Sequence, residues 1–146
     1  MSADTSTFVL ESRLADDCHL IGELELARVL LFDDARFPWL VLVPRLPGKR
    51  DLIDLARDEQ HQLLDEINRA SHVLHAIAKP DKMNVAALGN MVPQLHVHVI
   101  ARYVGDPAWP KPVWGVGERA PYRPEEVARL KSLLRGALGM TDAAEA

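Results

Sequence analysis

His96 and His98 stand two positions apart in the run Pro93-Gln94-Leu95-His96-Val97-His98-Val99-Ile100. Apolar and polar residues alternate along it, the pattern of a half-buried β-strand. Side chains two apart on a strand share a face at a spacing of about 6.5–7 Å. Gln94, His96 and His98 are therefore expected in a row on one face, with Leu95, Val97 and Val99 on the other. An imidazole on a rigid strand can attack as a nucleophile, move a proton near neutral pH or ligate a metal. Two on one face can share a substrate, one attacking while the other holds a developing charge. A pair of solvated strand histidines would show the same spacing, so the neighbouring elements must decide.

Those elements are readable in outline. His19 to Phe32 has the pattern of one long strand or two short ones, and Trp39 to Val43 is a continuously apolar strand stopped by Pro44. Asp58 to Lys79 carries Leu63, Leu64, Ile67, Ala70, Leu74 and Ile77 at helical spacing, and Pro80 ends it. Met83 to Leu88 and Leu95 to Tyr103 follow as strands joined by a turn around Gly89-Asn90. Pro124-Glu125-Glu126 opens a last helix with proline at its first position and acids at its positive dipole end. Val127, Leu130, Leu133 and Leu134 form its apolar stripe, and Gly139 is a plausible stop. This order predicts an α+β domain: an antiparallel sheet with one long helix and a C-terminal helix packed on it.

The histidine run resembles the signature of the histidine triad (HIT) family, His-φ-His-φ-His-φ-φ with φ apolar, except that Gln94 stands at the first histidine. Met83-Asn84-Val85-Ala86-Ala87-Leu88-Gly89-Asn90 resembles the strand and glycine turn that precede that signature. Phe32-Asp33-Asp34 and the strand ending Val43-Pro44-Arg45 resemble the strands before those, and Trp109 and Trp114 a Trp-bearing tail beyond the signature. The likeness runs from about Leu20 to Gly115. It implies the same α+β architecture, usually as a homodimer, acting on a nucleotide without a cofactor or metal.

The resemblance also implies roles. His96 would attack the α-phosphorus of a nucleotide and carry the nucleotidyl group until water removes it. His98 would hydrogen-bond a phosphate oxygen or the leaving atom. Gln94 can donate to a phosphate oxygen but cannot deliver a proton, so the leaving group needs no acid there, or another residue provides it, or turnover is slow. Asn84, Gly89 and Asn90 are candidates for phosphate or ribose contacts, with Gly89 admitting close backbone approach. Asp33 or Asp34 could accept the ribose hydroxyls, and Trp114 could close the pocket or a dimer seam. Ordinary turn chemistry accounts equally well for the asparagines and acids.

Two other functions stay open on sequence. A His-x-His strand suits zinc, although no third ligand stands nearby. A nucleotide-binding protein that has lost its chemistry would fit Gln94.

Composition narrows the field. The chain has 146 residues, 48% hydrophobic and 26% charged, which suits one globular domain, 1–146, with 1–7 and 141–146 expected to fray. Its net charge of −4 gives no electrostatic footprint for nucleic acid. No apolar run is long enough for a membrane span, and the first residues lack a secretory pattern. The single cysteine, Cys18, forms no internal disulfide and stands beside Asp16-Asp17, which would raise a thiol pKa. A cytoplasmic location is the expectation. His61, His72 and His75 fall on the polar side of the long helix and read as solvated.

Overall fold

In a computed structural model, residues 7–140 are described. Apart from Thr7, the expected frayed tails lie outside the described residues. A short helix, α1 (Ser12–Asp17), precedes five strands and two longer helices: β1 (Cys18–Glu23), β2 (Ala27–Phe32), β3 (Trp39–Pro44), α2 (Arg57–Ala78), β4 (Lys82–Ala86), β5 (Val97–Arg102) and α3 (Pro124–Ala137). A 3-10 turn at Leu52–Asp54 lies between β3 and α2. The strands form one antiparallel sheet in the order β1-β2-β3-β5-β4. The α+β fold is as expected, with α1 the element that sequence patterning did not show.

One face of the sheet carries the helices. Val29, Leu31, Leu40, Leu42, Val99 and Ala101 meet Ala70 and Leu74 of α2 and Leu134 of α3 in the larger core cluster. The two apolar stripes are narrower than expected, because Leu64 and Leu133 are exposed at 55% and 43%. The first strand also departs from strict alternation. Its register shifts between Leu20 and Gly22, so Ile21 turns into the core while Leu20 is left half exposed. A β-bulge of this kind moves side chains to the opposite face. Where β1 turns into β2, a buried carboxylate reaches up from α2: Glu66 accepts hydrogen bonds from the Leu26 and Ala27 N–H groups, both at 2.8 Å. That satisfies two donors of a hairpin turn that water cannot reach.

The other face has a second cluster, with Leu30, Val41 and Ile100 covered by Leu14 of α1 and by Ala108 and Val113 from the irregular segment before α3. His98 belongs to this face. On β5 it pairs across to Val41 of β3 and Ala86 of β4, so it sits inside the sheet rather than at an edge. Leu95 and Val97 point away, toward Leu63 of α2, as the alternation requires.

Candidate active site

β5 begins at Val97, so His96 is the last residue of the incoming loop and His98 the second residue of the strand. Both rings are buried, 7% and 5% exposed, with centroids 4.9 Å apart. They form one end of a cavity of about 330 Å³ whose other walls include Leu14, Phe32, Leu88, Met91, Val92 and Trp114. This volume lies at the small end of ligand pockets, which combine apolar walls with few polar groups. The polar groups here are the two imidazoles, Asn90 and Asp17.

The protonation pattern of the rings follows from their partners. His96 Nδ1 lies 2.6 Å from the Gln94 backbone carbonyl, which can only accept, so in the neutral ring Nδ1 carries the proton and Nε2 the lone pair. His98 has the opposite tautomer. Trp39 Nε1–H, which can only donate, points at His98 Nδ1 from 3.0 Å, leaving the proton on Nε2. Burial, reinforced by the neighbouring His96, pushes the His98 pKa down to about 3, so this ring remains neutral at any ordinary pH. One ring therefore offers a lone pair and its neighbour an N–H donor.

Aromatic packing fixes this arrangement. Trp39 stacks on Phe32 at 4.0 Å between centroids and meets His98 and Trp114 edge to face at 5.7 Å each. Trp114 itself lies edge to face on His98 at 5.0 Å. Trp114 thus forms part of the cavity wall beside His98. Trp39 was not visible as a site residue, since its signal in sequence is only that of a strand opening. Its link to His98 depends on β3 pairing with β5, which a single sequence does not reveal. Asp17, Leu14 and Met91 were missed for the same reason: they arrive from α1 and from the loop before β5.

Gly89 and Asn90 stand on the cavity wall, with Gly89 at φ +73°, a left-handed conformation that favours glycine. Gln94 is placed differently. Its side-chain oxygen accepts from the Glu11 N–H at 2.8 Å and its amide donates to the Val9 carbonyl at 2.9 Å. The side chain therefore ties down the segment before α1 instead of extending the histidine row, because the chain is no longer a strand at that residue. Only its backbone carbonyl serves the site.

Asp33, Asp34 and Asn84 also have protein partners. Asp33 accepts from the Tyr122 N–H at 2.9 Å and lies 3.0 Å from His19. Asp34, nearly fully buried, holds Arg36 through contacts including one of 2.8 Å, and Arg36 donates to the Val116 carbonyl at 2.7 Å. Burial alone would raise the Asp34 pKa, but hydrogen bonds from Arg36 and from the Ala120 N–H outweigh it, and the carboxyl falls below its ordinary value. These acids clamp the segment that follows Trp114. Asn84 accepts from Arg102 at 3.0 Å, and Arg102 is paired with Asp106 at 2.7 Å. Asp106 also caps the Tyr103, Ala108 and Trp109 N–H groups, and it is held near 2 chiefly by the Arg102 hydrogen bond. Cys18 is buried, and desolvation followed by the Asp17 charge pushes its thiol up to about 12. It is an unreactive packing residue. His61, His72 and His75 are exposed on α2, and among the described residues no three His, Cys, Asp or Glu side chains are grouped as a metal ion would require.

The HIT domain profile matches residues 13–105. The chain belongs to the HIT family. Solved structures agree with this HIT protein throughout the described fold. A histidine triad protein from Bradyrhizobium japonicum is 51% identical, with a TM-score of 0.87 over 90% of this chain and 98% of its own. Another from Marinobacter aquaeolei VT8 is 49% identical, with a TM-score of 0.88 over 90% and 96%. A third, from Sinorhizobium meliloti 1021, is 40% identical, with a TM-score of 0.89 over 92% and 99%. No curated protein matches the chain in sequence. No helix among the described residues is long and apolar enough to cross a membrane.

Proposed function

We propose that this HIT protein is a nucleotidyl hydrolase or transferase acting at the α-phosphate of a nucleotide through a covalent intermediate on His96, without a resident metal or cofactor. The observation that carries the reading is the pair of opposed contacts: a carbonyl at His96 Nδ1 leaves the lone pair of the neutral ring on Nε2, and an indole N–H at His98 Nδ1 leaves the proton on Nε2. His96 Nε2 would form a bond to the α-phosphorus as the bond to the leaving atom breaks. The leaving group departs with the electron pair. His98 Nε2–H would hydrogen-bond a non-bridging oxygen as charge grows on it, a type of interaction that typically contributes a few kcal/mol. Water would then displace His96 and release a nucleoside monophosphate.

The apolar cavity is suited to a nucleoside, with the base among Phe32, Leu14 and Trp114 and the phosphate at the imidazoles. Asn90 and Gly89, on the cavity wall, would meet phosphate or ribose. Asp17 lines the cavity, with its carboxylate also 3.3 Å from the Arg119 guanidinium, whereas Asp33 and Asp34 do not line it, so Asp17 would be the ribose acceptor. A homodimer is part of the same proposal: β4 is an open sheet edge, and Val85 on it and Leu88 beyond it expose apolar side chains. Unpaired edges of this kind commonly pair with another chain. A cytoplasmic location and the absence of nucleic-acid partners remain expectations from composition.

Replacing His96 by Gly tests the reading. Release of nucleoside monophosphate should fall by roughly 10⁴-fold or more, as for a lost nucleophile, in the presence or absence of chelator. Undiminished hydrolysis by His96→Gly would remove the proposal. Tight nucleoside monophosphate binding with no turnover of any phosphoramidate or anhydride by the unaltered protein would favour a binding role instead.

A further inference from the structure

Gln94 bonds through both its side chain and its main chain, and the two sets of bonds reach different parts of the site. Its side-chain oxygen accepts from the Glu11 N–H at 2.8 Å and its amide donates to the Val9 carbonyl at 2.9 Å, so the two bonds straddle Leu10. Its backbone carbonyl meets His96 Nδ1 at 2.6 Å. One residue therefore joins the segment that leads into α1 to the ring proposed to attack phosphorus.

We infer that Gln94 is a positioning residue for the nucleoside: its amide fixes α1, and with it the cavity wall of Leu14 and Asp17, relative to His96. The inference rests on the nucleotide reading above. α1 has six residues and its N-cap, Glu11, makes no side-chain cap, so the helix cannot hold its own place. Its far end runs directly into β1, and its near end depends on what holds residues 9–11. Among the described residues, the two Gln94 bonds are the hydrogen bonds that tie that segment to the fold beyond α1. Phe8 and Leu10 also pack on the histidine-face cluster, and Arg13 donates weakly to the Met91 carbonyl at 3.4 Å. Apolar contact is non-directional, so it holds the segment down without fixing its register. Leu14 and Asp17 follow on α1 and line the cavity that contains both imidazoles.

This gives the amide a task that the histidine of the family signature could not perform. An amide presents its acceptor and its donor side by side, as the Glu11 N–H and the Val9 carbonyl require. The two nitrogens of an imidazole point apart, so a histidine here could serve one of these groups and would leave the other without it. Removing the amide keeps the backbone carbonyl at His96 in place. The loss is therefore expected in nucleoside binding and not in the chemical step.

Hydrogen exchange, nucleoside monophosphate affinity and turnover of a nucleoside phosphoramidate, measured on Gln94→Ala and Gln94→His, decide the matter. Both variants should exchange faster over residues 9–17 with β2 and β3 unchanged, which also shows that they fold. Losing two hydrogen bonds should weaken binding by about tenfold or more and leave kcat within about threefold. Glu11→Pro removes the donor from the other side, at a residue whose φ of −56° already suits proline, and should weaken binding in the same way. Unchanged exchange over residues 9–17, unchanged affinity in these variants, a kcat that falls as far as the affinity, or a kcat raised by Gln94→His would each overturn the inference and leave the His96 reading intact. If the unaltered protein binds nucleotide without turnover, the His96 reading fails and binding and exchange still decide the role of Gln94. If it does neither, both fall.

Discussion

The two faces of the sheet use the same strands and are held in different ways. On the helix face, Leu40, Leu42 and Val99 meet regular helices whose apolar stripes fill the space, and few polar groups enter. On the histidine face, Leu30, Val41 and Ile100 are covered by the short helix α1 and by irregular chain, and the imidazoles and Arg102 are buried among them. Irregular chain cannot satisfy its own backbone as a helix does. Side chains do it instead: Asp106 caps the turn after β5, Asp33 and Asp34 hold the segment after Trp114, and Gln94 holds the segment before α1. One face gains stability from apolar area. The other uses a hydrogen-bonded frame to leave a cavity open beside two polar rings.

Cutting into each face should separate stability from chemistry. The largest effect on folding is expected from Arg102→Ala, which strands the buried Asp106 carboxylate and costs about 3–5 kcal/mol by urea denaturation. A loss below about 1 kcal/mol would mean that the frame is not held through this pair. On the helix face, Leu74→Ala should cost about 2–5 kcal/mol by the same assay. It should leave kcat and KM within about twofold at temperatures where the protein is folded; a comparable loss of activity would show that the two faces are not independent.

A third comparison uses pH. The unfolded chain protonates His98 near its ordinary value of 6.5, whereas the folded protein does not until about 3. Between those values the unfolded state binds more protons, so this residue makes stability fall as pH drops, by at most about 1.4 kcal/mol per unit. His98→Asn should flatten that slope in denaturation measured from pH 6.5 downward. An identical slope in both proteins would mean that the ring is not buried as described. The smallest effect is expected from Trp39→Phe, which keeps the ring stack but frees His98 Nδ1. Losing one neutral hydrogen bond of about 0.5–1.5 kcal/mol should slow turnover by up to roughly tenfold with little change in KM. No change in kcat would show that the indole does not set the tautomer.

The helix face was the more legible of the two, for physical reasons. Periodicity reports burial against a regular partner, so Leu63, Ala70, Leu74 and Leu134 marked their helices directly. It fails where phase breaks, as at the Ile21 bulge, and at Leu64 and Leu133, whose side chains lie just outside the buried stripe. His96 and His98 were found because strand alternation brings neighbours in sequence onto one face. Trp39, Asp17 and Leu14 were not, since they reach the cavity only through tertiary packing. Gln94 stood in the right register, but β5 starts three residues later and its side chain turns elsewhere. The acids Asp33 and Asp34, which the resemblance offered as ribose acceptors, do not line the cavity and are engaged in holding loops.

The central claim is that the unprotonated nitrogen of His96 becomes bonded to phosphorus. Mass spectrometry of protein quenched without acid during turnover of a nucleoside phosphoramidate or anhydride tests it most directly. The account predicts one nucleoside monophosphate group on the peptide containing His96, absent from the His96→Gly protein. Turnover with no adduct at any time, or an adduct on a different residue, would contradict it.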